Sequence, residues 1–272
     1  MKLITSRHNP RVKQAAALRS RKAREASQRT LVYGPRETLR AIEAGARLVE
    51  AFVCPPLLRG ADSAAAATAL RDSGVEVLET SVEVFEKLAY GDRLDGVVSI
   101  ATTPRRPLEH LLDSHAVGQR PLVAVIEGVE KPGNLGAVLR SADGAGFDAV
   151  VVADPVIDLF GPNVIRASTG AVFKPNIAVA SSEAAVAWLA TLRVPLYATR
   201  PDADEEYTAA DFSAGCAVIL GAESTGLTDV WRREAVRAIG LPMRGVADSL
   251  NLSATAAVLF YEAQRQRNEA QR

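Results

Sequence analysis

Three glycine-marked loops carry the polar side chains whose types and spacing suit chemistry. The first is Asn134-x-Gly136-x-x-x-Arg140, within "EKPGNLGAVLRSADGAGF" (130–147) and directly after the apolar run "LVAVIEG". In the second, "VILGAESTGLTDVW" (218–231), an apolar stretch runs into Gly221, Glu223 and Gly226. The third, "GLPMRGVADSLNLSATAAVLFYEAQRQR" (240–267), presents Ser249, Asn251 and Ser253 ahead of a long segment with helical character. Amides, hydroxyls and a guanidinium can orient a polar ligand, and a helix that opens after a strand offers it free N–H groups. The 130–140 turn is therefore a ligand edge, with the ligand left open by this context alone. Each loop also has a plain structural reading, with Ser249 or Asn251 as a helix N-cap and Gly221 and Gly226 as turn formers.

Two other chemistries are disfavoured. Gly144-Ala145-Gly146-Phe147-Asp148-Ala149 matches the dinucleotide fingerprint G-x-G-x-x-G/A in form, but that fingerprint must follow a strand and open a helix. Here the glycines close a helix and precede a strand, so both read as a C-cap. Cys54 and Cys216 have no C-x-x-C partner, and His8, His110 and His115 form no ligand-spaced cluster with them. Neither a zinc site nor a disulfide framework is expected. Cys216, at the start of an apolar strand, reads as core.

The elements that must position these loops follow from periodicity and punctuation. Asn9 as N-cap and Pro10 at the first helical position predict a long helix through "PRVKQAAALRSRKAREAS". Strands are expected at 30–33, 49–53, 75–79 and 96–101, with helices at 35–44, 62–72 and 81–89 between them. The proline-rich "TTPRRPLEH" (102–110) breaks this alternation. A second α/β series follows, with strands near 121–126, 149–153, 176–180, 195–199, 216–221 and 237–241. Its helices are expected at about 134–144, 162–169, 182–192, 228–235 and 249–267. The alternation implies two α/β layers, a first domain over 1–105, a linker over 106–118 and a second domain over 119–272.

At 272 residues and 48% hydrophobic content the chain can bury a sizeable core. Apolar runs are too short for a membrane span and no signal peptide is evident, so a cytoplasmic location is expected. The 32 basic and 32 acidic residues cancel, yet residues 1–29 hold nine Lys/Arg against the single acid Glu25. That basic head suggests a polyanionic partner, the alternative being a solvated helix face.

Taken together and in order, Asn134-x-Gly136-x-x-x-Arg140, Gly221-x-Glu223-x-x-Gly226-Leu227 and Leu241-Pro242-Met243 with Ser249-Leu250-Asn251-x-Ser253 resemble the three motifs of the SpoU (TrmH-type) branch of the SPOUT RNA methyltransferases. Arg166-Ala167-Ser168-x-Gly170 is similar to a further stretch of that family. "LVYGPRETLRAIEAG" resembles the start of an L30e-like substrate-binding domain. The resemblance implies a trefoil-knotted α/β catalytic domain after a smaller L30e-like domain, a homodimer, and S-adenosylmethionine as cofactor with no metal. It places Thr199, Gly221, Leu241 and Leu250 against the cofactor, and Asn134, Arg140, Glu223, Ser249 and Asn251 at the reacting end. Leu241 and Leu252 stand where isoleucine and valine are usual. Arg7, Arg11, Arg19, Arg21, Arg36 and Arg166 are the expected RNA contacts. The implied activity is methylation of a ribose 2'-hydroxyl, ribosomal RNA being favoured over transfer RNA. The competing classes are a nicotinamide-dependent oxidoreductase and a non-catalytic RNA-binding protein. Displacement at a sulfonium methyl needs alignment and proton removal, with no covalent nucleophile. Since guanidinium is nearly always charged, Arg140 is read either as a proton acceptor in a special environment or as a phosphate anchor.

Overall fold

The computed structural model describes residues 3–91, 93–116 and 118–272. The chain divides into two compact units, Met1–Pro104 with Phe160–Lys174, and Arg105–Leu159 with Pro175–Arg272. Residues 160–174, which the sequence reading assigns to the second domain, thus group with the first. The reason is local burial. The helix Pro162–Ala167 buries Val164 and Ile165, Thr30 donates its hydroxyl to the Phe160 carbonyl at 2.7 Å, and the Phe160 ring lies 5.8 Å from that of Phe173.

In the first unit, β1 (Leu3–Ile4), β2 (Arg29–Tyr33), β3 (Leu48–Val53), β4 (Glu76–Thr80) and β5 (Val97–Thr102) form a five-stranded sheet in the order β1-β4-β3-β5-β2. The helices are α1 (Pro10–Ala17), α2 (Arg21–Ser27), α3 (Pro35–Glu43), α4 (Gly60–Asp72) and α5 (Val82–Leu88), with α7 (Pro162–Ala167) as a later addition. Asn9 caps α1 as expected, its side chain accepting from the Arg11 amide at 2.9 Å. The long N-terminal helix is in fact two, because Ser20 starts α2 afresh by accepting from the Ala23 amide. β1 was not foreseen, since two residues carry no readable period.

The second unit is a six-stranded parallel sheet in the order β11-β9-β10-β6-β7-β8, built from β6 (Leu122–Glu127), β7 (Ala149–Ala153), β8 (Ile177–Ala180), β9 (Leu196–Thr199), β10 (Cys216–Leu220) and β11 (Val236–Ile239). Its central strands β6, β7 and β10 are buried along their whole length, as a parallel sheet covered on both faces requires. The helices are α6 (Pro132–Gly144), α8 (Ser182–Leu192) and α9 (Leu252–Ala270), and α9 packs along α6. The helix expected at 228–235 shrinks to the single turn Asp229–Trp231, where Trp231 is drawn into the core and Arg232 leaves helical geometry at φ −90°, ψ 60°.

The glycines of 144–146 separate. Gly146 alone has positive φ, +71°, just beyond the helix. Gly144 is the last residue of α6 and is small for another reason, since a Cβ there would meet the Tyr261 hydroxyl of α9 at 2.9 Å. Cys216 lies fully buried and burial pushes its thiol pKa up to about 12, in keeping with a core role. Among the described residues no group of His, Cys, Asp and Glu could hold a metal ion, and no helix is long and apolar enough to cross a membrane.

Candidate active site

The strand order of the second unit brings its three loops to one edge of the sheet, at the C-terminal ends of β6, β10 and β11, where open α/β sheets hold ligands. Asn134 sits in the first turn of α6 and Glu223 in the loop after β10, while Asn251 caps α9 with its side chain accepting from the Ser253 amide at 2.9 Å. Glu223 is the hub. Its Oε1 accepts from the Asn251 amide at 2.6 Å and also from Asn134, and its Oε2 accepts from the Lys131 ammonium. The Asn251 amide further reaches the Asn134 carbonyl oxygen at 3.3 Å. Side chains up to 117 residues apart in sequence therefore share one network.

The bond and charge of Lys131 hold the Glu223 carboxyl below the usual carboxylate range, and Glu223 in turn holds Lys131 above the usual ammonium range. A carboxylate kept ionised in this way, with both oxygens occupied, is an organiser of amides and a poor proton acceptor. Lys131 went unassigned from sequence. The available signal was its position in the singled-out turn, next to Pro132.

Beside this network lies a cavity of about 390 Å³, lined among others by Thr199, Arg200, Gly221, Leu241, Ser249 and Leu250. Gly221 shapes it. A Cβ on Gly221 would lie 2.4 Å from the Gly226 carbonyl carbon and 2.5 Å from the Leu227 nitrogen, so the loop folds back onto bare backbone. Gly226 adopts φ +67° to close that turn, and its amide donates to the Ala222 carbonyl at 2.9 Å. Thr199 donates its hydroxyl to the Ile219 carbonyl at 3.1 Å. Ser249 is exposed on the cavity lining. Arg140 belongs neither to the network nor to the lining. It is exposed on α6 and bonds to no described residue, about 9 Å along the helix from Asn134.

Four of the eight described Lys/Arg of the basic head, Arg11, Arg19, Arg21 and Arg24, are engaged within their own unit. Arg11 pairs with Glu50 and Glu76, each at 2.7 Å, Arg19 donates to the Lys87 carbonyl at 2.7 Å, and Arg21 pairs with Glu25 at 2.7 Å. Arg24 is buried and donates to the Leu18 carbonyl at 2.8 Å. Arg36 pairs with Asp62 at 3.1 Å. Arg7, Lys13, Lys22, Arg29 and Arg166 are exposed, while Lys2 lies outside the described residues.

The sequence model described as the SpoU rRNA Methylase family matches residues 121–261, more than half of the chain. The chain belongs to the SpoU rRNA methylase family. It is an S-adenosylmethionine-dependent RNA 2'-O-methyltransferase. The model of an MRM3-like substrate binding domain matches residues 9–99 of this SpoU methylase, ahead of the catalytic part. A 23S rRNA (guanosine-2'-O-)-methyltransferase RlmB of Xylella fastidiosa is 33% identical over 72% of this chain and 80% of its own length. The crystal structure of an RNA 2'-O ribose methyltransferase superposes with a TM-score of 0.83 at 42% identity, covering 98% of this chain and 99% of that one. An AdoMet-bound rRNA methyltransferase from Sinorhizobium meliloti gives 0.84 at 28% identity, with 97% of each chain covered. Membership excludes the oxidoreductase and the non-catalytic RNA binder weighed from sequence.

Proposed function

We propose that this SpoU methylase modifies ribosomal RNA in the cytoplasm, taking its cofactor in the cavity beside Gly221. The observation that carries the reading is the adjacency of the cavity lined by Thr199, Gly221, Leu241 and Leu250 to the Asn134–Glu223–Asn251 network. Because Gly221 lets the Gly226 and Leu227 backbone fold back onto it, main-chain groups form part of the wall of this cavity of about 390 Å³, which fits S-adenosylmethionine. When bound, that cofactor supplies an electrophilic methyl group.

The chain's own residues do the rest. Glu223 fixes the planes of both asparagine amides; the Asn251 Nδ2 spends its hydrogens on Glu223 and Asn134, and the Asn134 Nδ2 keeps a second hydrogen for a ribose oxygen. Ser249, on the cavity lining, is placed to orient the substrate. The Arg140 side chain, with no anionic partner among the described residues, is open to an RNA phosphate, and we read it as the anchor that holds the 2'-hydroxyl in line. The chain between β11 and α9 is proposed to thread the trefoil knot, against the usual rule. Two observations support this: β11 is an edge strand, yet α9 returns to pack on α6.

Incubation with methyl-labelled S-adenosylmethionine and either 23S rRNA, 16S rRNA or bulk transfer RNA tests the substrate. Label is expected in ribosomal RNA as an alkali-resistant linkage. Label in transfer RNA alone would overturn the assignment.

A further inference from the structure

Glu127, the last residue of β6, lies outside the Asn134–Glu223–Asn251 network, yet its carboxylate accepts four hydrogen bonds. It is 2% exposed. Its Oε1 accepts from the Ser182 hydroxyl at 2.5 Å, the Thr228 hydroxyl at 2.8 Å and the Trp231 indole Nε1 at 2.8 Å. Its Oε2 accepts from the Thr228 amide at 2.8 Å. Three of these four donors lie in the segment that leaves the cavity loop, and Thr228 directly follows Leu227, a lining residue. A buried carboxylate is costly unless each lone pair is met, and here the donors come from two separate segments of the unit.

We propose that Glu127 is the positioning residue of the cofactor loop. The loop from Gly221 to Leu227 is held at its middle by Glu223, through Lys131, Asn134 and Asn251. Glu127 fixes its far end by clamping Thr228 and Trp231 to the sheet. Because Gly221 faces the backbone of Gly226 and Leu227 closely, a slip at Thr228 moves the atoms that set the cavity wall. Glu127 touches neither substrate nor cofactor in this scheme. It acts through the loop, and so on cofactor affinity rather than on the reacting geometry at Asn134 and Arg140. The inference rests on the reading that the cavity beside Gly221 takes S-adenosylmethionine.

The substitution Glu127→Gln is nearly isosteric but cannot satisfy all four donors. Whichever way the amide lies, its NH2 faces a donor, either the Thr228 amide or the cluster at Oε1. Thr228→Val removes one bond and keeps the backbone donor, whereas Thr228→Ser keeps both. Calorimetry with S-adenosylmethionine, on variants that retain a cooperative thermal transition, reads the effect directly. In Glu127→Gln the Kd and the KM for the cofactor are expected to rise about tenfold, with kcat at saturating cofactor and RNA affinity retained. Thr228→Val is expected to weaken binding less, and Thr228→Ser to restore it. A folded Glu127→Gln with the original cofactor Kd, or with kcat lost at constant KM, overturns the proposal. If Glu127→Gln does not fold, Thr228→Val with the original Kd overturns it equally. Gly221→Ala separates the two readings. Loss of affinity there with both Glu127→Gln and Thr228→Val unaffected defeats the inference alone, and unchanged affinity in Gly221→Ala defeats the placement of the cofactor itself.

Discussion

Glu223 draws its character from three partners that converge on two oxygens. Because Lys131 holds its carboxyl low, the network is intact above the ordinary carboxylate range and is lost only as pH falls through the lowered value. Lys131, held high, keeps its charge until pH rises through its raised value, so the pair spans a wide neutral plateau. In Lys131→Met the Glu223 carboxyl should return upward, moving the acid limb of kcat/KM to higher pH. A pH–rate profile with an unmoved acid limb would mean that the Lys131 contact plays no part in methyl transfer. Asn134, Glu223 and Asn251 were legible as candidates because each stands in a glycine-marked loop. Lys131 was not, because its partner lies 92 residues away and its place in the turn beside Pro132 does not reveal that pairing.

At the scale of elements, the parallel sheet and its loops followed from apolar runs and glycine punctuation, and the N-cap at Asn9 from residue type. The second cap was open between Ser249 and Asn251, and the helix expected from 249 starts at Leu252 with Asn251 as its cap. What failed has tertiary causes. The helix expected at 228–235 loses to the burial of Trp231, and residues 160–174 group with the first unit through contacts such as that of Thr30 to Phe160. Asn251 joins two elements, capping α9 and bonding Glu223. Asn251→Ala should therefore cost about 1 kcal/mol of stability from the lost cap, seen as a lower Tm. It should also reduce methyl transfer further than Ser253→Ala, which leaves the Asn251–Glu223 bond in place. Equal activity in the two variants would reduce Asn251 to a cap.

Across the whole molecule, α9 leaves Val258 38% and Tyr261 51% exposed, one turn apart, with Leu250 41% exposed ahead of the helix. We propose that this apolar run is covered by a second copy of the chain, with the RNA site close to the contact. Sedimentation should give twice the 28.9 kDa chain mass at micromolar concentration, and Val258→Glu should yield a monomer with reduced transfer. A monomer in the unaltered protein would contradict this.

We propose that cofactor and ribose are held by separate parts of one site, the cavity beside Gly221 and helix α6, with Asn134 in its first turn and Arg140 farther along. Single-turnover methyl transfer to ribosomal RNA by Arg140→Ala, measured alongside its calorimetric affinity for S-adenosylmethionine, tests that division most directly. The expected result is unchanged cofactor affinity with transfer reduced by at least about a hundredfold. Near-normal transfer with cofactor binding intact would contradict it.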